Sequence, residues 1–150
     1  VAETRAPYIL MHMKGQPKTM QNEPMYQNVT LEVLDFFIDQ IQLLRQLGVK
    51  DIWLDPGFGF GKTIEQNFQL LNQLSRLQII DLPILVGVSR KSMIYKTLGL
   101  DATHALNGTT ALHMAALMRG ASVLRVHDVR EAVETIRLWE ALQSSDHTDA

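Results

Sequence analysis

Asp55 ends an apolar run, DIWLD, and opens the segment DPGFGFGKT, residues 55–63. An acid, alternating glycines, a lysine and a threonine after a strand-like run have the composition of a phosphate-binding loop. The spacing is wrong for one. A P-loop requires glycine, four residues, then Gly-Lys-Ser/Thr. Gly61-Lys62-Thr63 supplies the end, but Pro56 stands where the first glycine belongs. The dinucleotide fingerprint fails as well: Gly57 and Gly59 fit its start, and Lys62 occupies its last glycine. What remains is a strand ending in an acid, a glycine-rich turn and a helix start at Thr63, where Thr63-x-x-Gln66 forms a capping box. That box makes Lys62 and Thr63 helix-start residues rather than phosphate ligands.

Other residues with chemical capacity fall at equivalent places. Met11, His12, Met13 and Lys14 follow one apolar run. Gly87, Ser89, Arg90, Lys91 and Ser92 follow another, and Arg125 and His127 end a last one. Arg125 and His127 are two apart, so on a strand they share a face, and a buried arginine there needs a ligand or an acid partner. The SRKS segment, residues 89–92, sits where a strand passes into a helix. Free N–H groups and basic side chains in that place attract phosphate or carboxylate. Against the helix dipole, basic residues there are otherwise unfavourable. Asp55 before Pro-Gly has a turn-forming role open to it too; its place at a strand end favours a functional one. His12 and His113 lack ligand-spaced neighbours and read as ordinary packed or surface histidines. Met114 and Met118 read as helix packing. The sequence contains no nucleophile triad and no metal-ligand cluster.

The elements that must position these residues alternate. Strands are expected over residues 7–13, 51–55, 83–87 and 122–126. The helix after the first strand carries Leu31, Leu34, Ile38, Ile41, Leu44 and Leu47 at helical spacing and stops at Gly48. The next starts at Thr63 with an inner stripe of Phe68, Leu71, Leu74 and Leu77. A short helix over residues 90–98 stops at Gly99, and a longer one over 103–119 stops at Gly120. Asp128-x-x-Glu131 opens the last, through Val133, Ile136 and Trp139. A polar, proline-punctuated loop reaches about Asn28, and the tail from Ser144 is expected to fray. The β-α repetition without hairpin signals predicts an α/β fold with a parallel sheet and right-handed crossovers. Four such units make a small open sheet or half of a (β/α)8 barrel, whose usual length is ~250 residues. In either case ligands bind beyond the carboxyl ends of the strands. One acid, several bases, small residues and thioethers on that rim suit a ligand with an anionic part, a donor-rich part and a flat apolar part.

Bulk properties set the bounds. The 150 residues are 46% apolar with a net charge of −2 and no cysteine. One domain over residues 1–150 with a real core is expected. The charge argues against nucleic acid or an anionic membrane as the main partner. The absence of cysteine excludes disulfides and thiolate metal sites and fits a reducing, cytoplasmic setting. No apolar run approaches the ~20 residues of a membrane span, and no signal-peptide pattern opens the sequence. The sequence starts without methionine and almost directly on a buried-looking strand, as a processed or truncated protein does.

Taken together, YILMHMKGQPKTMQ, DPGFGFGKT, LVGVSRKSMI, NGTTA and LRVHDV resemble dihydropteroate synthase, the folate-biosynthesis transferase that sulfonamides inhibit. The resemblance runs from about Pro7 to Leu142, with the motifs in the family's order and spacing. It implies a TIM barrel, of which this chain is the C-terminal half, strands five to eight. It implies condensation of 6-hydroxymethyl-7,8-dihydropterin diphosphate with p-aminobenzoate to dihydropteroate and diphosphate. Carried over by motif, Asp55 grips the pterin's amino-pyrimidine edge, as a carboxylate accepting two parallel N–H bonds can. Lys91 bonds the pterin carbonyl and ring nitrogen and lines the aminobenzoate channel, where Ser92 holds the carboxylate. Arg125 lies against the pterin plane and reaches the diphosphate, which His127 also binds. Met11, Phe60 and Gly87 shape the pterin slot. Of these, Asp55, Lys91 and Arg125 are the implied catalytic residues. The family also implies Mg2+ with its protein ligand outside this chain, an N-terminal half of the barrel as partner, and a homodimer through the C-terminal helices. The exposed sheet edges of a half barrel favour association, and weak or absent activity is expected without the other half. A pterin-binding corrinoid methyltransferase domain and a non-catalytic half-barrel module are the competing readings; SRKS with RVHDV argues against the former.

Overall fold

The computed structural model describes residues 1–15 and 26–145. The middle of the proline-punctuated loop and the end of the polar tail lie outside the described residues. The chain runs β1 (Tyr8–Met11), α1 (Val29–Gln46), β2 (Ile52–Asp55), α2 (Ile64–Asn72), β3 (Leu85–Val86), α3 (Ser92–Tyr95), α4 (Leu106–Leu117), β4 (Val123–Leu124) and α5 (Val129–Ser145). Tight 3-10 turns at Leu74–Ile80 and Ala102–His104 follow α2 and precede α4.

β1 pairs parallel with β2, and β3 with β4. A parallel bridge between Leu54 and Ile84 joins the two pairs. The strands therefore lie side by side in chain order. A doubly wound sheet reverses its order at a switch point; this arc has no reversal, as in a barrel wall. Residues in register share a face. Leu10, Leu54, Ile84 and Val86 face the helices and are buried in the core with Phe37, Leu70 and Met93. The opposite, inner face carries Ile9 and Trp53 side by side, 49% and 37% exposed.

The strands are shorter than their apolar runs. Beyond the ladders, side-chain hydroxyls take over from backbone partners: Ile84 N–H donates to Ser122 Oγ (3.3 Å) and His127 N–H to Ser89 Oγ (3.2 Å). The helix faces need correction as well. In α1 the deepest residues are Val29, Thr30, Val33 and Phe37, while Leu31, Ile38 and Leu47 are exposed. α1 has apolar residues nearly all round, so spacing alone does not choose its phase. Asn28 caps it, accepting from Thr30 and Leu31 N–H. Leu74 and Leu77 are buried from the 3-10 turn rather than from α2, where a spacing of three keeps one face. α3 covers only Ser92–Tyr95 of residues 90–98; Arg90, with φ +50°, stands outside the helix at its start. In α5, Ala132 and Thr135 point inward and Val133 outward.

The capping box at Thr63 forms in both directions, with Gln66 N–H on Thr63 Oγ1 (3.2 Å) and Thr63 N–H on Gln66 Oε1 (2.8 Å). Replacing Thr63 by Ala is expected to cost about 1 kcal/mol. A lower urea midpoint at unchanged m-value would show it.

Candidate functional site at the carboxyl rim of the arc

The inner face turns polar at the strands' carboxyl ends. Met11 and Asp55 are register partners. On β3 and β4 the same face continues past the ladder to Gly87 and Arg125. Phe60, Gly87, Ser89, Lys91, Arg125, Val126 and His127 line a cleft of about 260 Å³ here, just under the usual size of a small-molecule site.

Asp55 is buried, with its two oxygens used differently. Oδ1 accepts the Gly57 N–H at 2.8 Å, which organises the turn. Oδ2 faces the Arg125 guanidinium at 3.8 Å, longer than a hydrogen bond. The turn-forming and rim-facing readings of this aspartate are thus both present in one side chain. Gly87 lets the guanidinium lie close: a Cβ there would sit 3.0–3.1 Å from its nitrogens. Arg125 has the acid partner its sequence position required, yet its side chain stays more than half exposed.

Lys91 crosses the rim from the β3 side. Its ammonium donates to the Phe58 carbonyl and lies 4.8 Å from the centre of the Phe60 ring. Burial, then the nearby Arg125 charge, pushes it down to about 8, against the pull of Asp55. Ser89 is buried and holds His127 twice, through the backbone N–H and at 3.0 Å from Nδ1. Ser92 begins α3 next to Lys91, outside the cleft lining. Met11 likewise borders the site through Asp55 without lining the cleft.

SRKS divides its work. Arg90 turns away from the cleft into a bidentate pair with Asp128 (2.9 and 2.8 Å) and also donates to the Ala102 and Thr103 carbonyls. It is a tie between the β3 and β4 ends, so the expected basic phosphate loop reduces to Lys91 on this side.

Two residues were not legible as parts of the site. Asn67, on α2, accepts from Gly59 N–H at 2.7 Å and donates to the Thr63 carbonyl. Lys62 turns inward under the glycine turn, donating to the Gly57 and Phe60 carbonyls and meeting His12 Nδ1 at 3.0 Å. Burial and the Lys91 charge push Lys62 down to about 8, while Asp55 pulls it up. A lysine just before a helix N-terminus opposes the dipole; that signal was in the sequence and applied to Lys62 as much as to SRKS. His12 is buried with its ring edge-on to Phe36.

An unreversed arc of parallel βα units, with a buried acid and several cations on its carboxyl rim, is half of a TIM-barrel ligand site. The chain belongs to the pterin binding enzyme family, whose sequence pattern matches residues 1–127. It is 47% identical over 96% of its length to the dihydropteroate synthase of Escherichia coli, covering 52% of that protein. A Yersinia pestis dihydropteroate synthase structure with a sulfonamide drug superposes with a TM-score of 0.93 at 43% identity, over 96% of this chain and 53% of that one. The Thermus thermophilus dihydropteroate synthase in complex with 4-aminobenzoate gives 0.90 at 40% identity, over 95% of this chain and 59% of that one. The chain thus spans about half the length of the curated relatives it matches.

His12 gives this region an acid limit. Burial, then the Lys62 and Lys14 charges, lowers its imidazole to about 4. The unfolded chain takes up that proton near pH ~6.5, so acid favours unfolding between the two values. Stability present above that range is expected to fall by up to about 3 kcal/mol as pH drops to about 4. Urea titrations across this window, compared with His12→Asn, would isolate the slope; the gap between the two proteins should narrow as pH falls.

Proposed function

We propose that this chain supplies the C-terminal half of a dihydropteroate synthase active site. The observation that carries the reading is the buried Asp55 carboxylate, with one oxygen facing Arg125 above a glycine and Lys91 across the same rim. A flat ring with a donor edge and an anionic tail fits that arrangement. Asp55 Oδ2 accepts N–H bonds from the pterin's amino-pyrimidine edge. Arg125 stacks on the pterin and reaches the diphosphate. His127, held by Ser89, binds the diphosphate from β4. Lys91 donates to the pterin carbonyl and ring nitrogen, and Ser92 holds the aminobenzoate carboxylate at the start of α3. Met11, Phe60 and Gly87 bound the pterin slot.

In this reading the bond between the pterin methylene and the diphosphate oxygen breaks first. The electron pair leaves with the diphosphate, and the methylene cation is conjugated with the ring. Arg125 and His127 stabilise the departing charge. The aminobenzoate nitrogen then forms the new C–N bond and gives up a proton. Phe60 and the turn beneath it orient the ring and limit water at the cation. A magnesium ion would neutralise diphosphate charge, but it takes hard oxygen ligands, and no cluster of three or more His, Asp or Glu capable of holding a metal occurs among the described residues. In this reading the ion's protein ligand belongs to the other half of the barrel.

The remaining catalytic partner is the N-terminal half of the barrel, for which the uncovered Ile9 and Trp53 face is suited. Exposed Val129, Leu138 and Leu142 on α5 and Met118 after α4 support a homodimer through the C-terminal helices. In this reading the enzyme works in the cytoplasm, on small molecules rather than nucleic acid or membrane.

The test is dihydropteroate formation by the full-length protein that carries this chain. Wild type should turn over, while Asp55→Asn and Arg125→Ala should each lose roughly 10- to 100-fold in kcat/KM, the worth of a charged hydrogen bond. Wild type without product, or both variants at full rate, would overturn the reading. Residues 1–150 alone should be weakly active or inactive.

A further inference from the structure

Lys62 has more partners than a helix-start residue needs. Its ammonium offers three donors, and three acceptors surround it: the Gly57 carbonyl at 3.0 Å, the Phe60 carbonyl at 3.2 Å and His12 Nδ1 at 3.0 Å. Two lie in the glycine turn, and the third is on the residue that follows β1. For Nδ1 to accept, the ring must be neutral with its proton on Nε2. Burial keeps His12 in that form, and the pull of acid toward His12 protonation is opposed by Lys62 itself.

The backbone of the turn lies close against the same segment. Gly57 has φ +71°, and a Cβ there would overlap the His12 carbonyl; Gly61 has φ +57°, and a Cβ there would overlap the Lys14 carbonyl. The turn thus lies directly on the end of β1 at both shoulders. Lys91 ties Phe58 from the opposite side, and Asn67 ties Gly59 from α2. Residues 57–60 are held from three directions, and Lys62 links them to His12, just past the end of β1.

We infer that Lys62, with neutral His12 as its acceptor, is a positioning residue that sets the placement of Phe60 and the Asp55-capped turn, and so tunes the affinity of the pterin slot without touching the aminobenzoate subsite. The inference rests on the synthase reading and extends it to a residue outside the ligand-lining set. The cleft lining includes Phe60 but not Lys62. Its effect therefore passes through the turn.

The experiment is steady-state kinetics of the full-length protein, with the pterin diphosphate and p-aminobenzoate varied separately. Lys62→Met keeps the stem and removes the donors. It should raise the pterin KM by at least 10-fold and leave the aminobenzoate KM within about twofold. A general loss of folding would instead lower active enzyme and move neither KM selectively. His12→Asn puts an amide oxygen close to the place of Nδ1 and should stay within about threefold of wild type in pterin KM. His12→Leu removes the acceptor and should approach Lys62→Met. Equal pterin KM in His12→Asn and His12→Leu, or a Lys62→Met pterin KM matching wild type, overturns the inference. If Lys62→Met fails to fold, the His12 pair decides. A wild type that forms no dihydropteroate sinks the synthase reading instead, before any variant is compared.

Discussion

A buried carboxylate must be matched, and Asp55 organises its surroundings around that requirement. Removing an ionised acid from water is costly unless hydrogen bonds and opposite charge replace the solvent. Asp55 meets the need unevenly. Its turn-facing oxygen has a short backbone donor, while its rim-facing oxygen has a guanidinium beyond bonding distance. Lys62 and Lys91 stand near enough to be held up by its charge even as burial pulls them down. The result is one acid among three cations, an arrangement with surplus positive charge and a half-used acceptor. An anion with N–H donors would offset both deficits together and complete an electrostatic set that folding leaves open.

The glycine turn follows from the same place. Its first N–H is committed to Asp55, and its positive-φ glycines bring its backbone against β1. Its carbonyls then point at lysines on either side. The sequence resemblance to a phosphate loop came from the same ingredients used in the opposite polarity. In a P-loop, N–H groups cradle an anion; here lysines are spent on the loop's own carbonyls. That frees the loop to act as a wall.

Much of this was legible. Strand-end positions follow from apolar runs and alternation, so Asp55, Gly87, Arg125 and His127 fell on one rim in the sequence as in the structure. The capping box at Thr63 was explicit. The phases of α1 and α5 were not, because Leu31, Ile38 and Val133 have the composition of core residues and lie outside it. Which of Arg90 and Lys91 faces the cleft depends on the left-handed backbone at Arg90 and on Asp128, far away in sequence. Lys62 and His12 are fifty residues apart, and neither has a local pattern that announces the other. Long-range pairing of polar groups is the part of a site that one-dimensional spacing encodes least.

The uncovered inner face has an optical consequence. Trp53 sits there beside Ile9, part-exposed, whereas Trp139 is packed into the helical layer of α5. Indole emission moves to shorter wavelength as water leaves it. Closing the arc with further βα units would dry Trp53 and leave the environment of Trp139 nearly constant. The wall of the barrel therefore carries its own fluorophore on its inner face, and the colour of that single ring reports whether the barrel is open or closed.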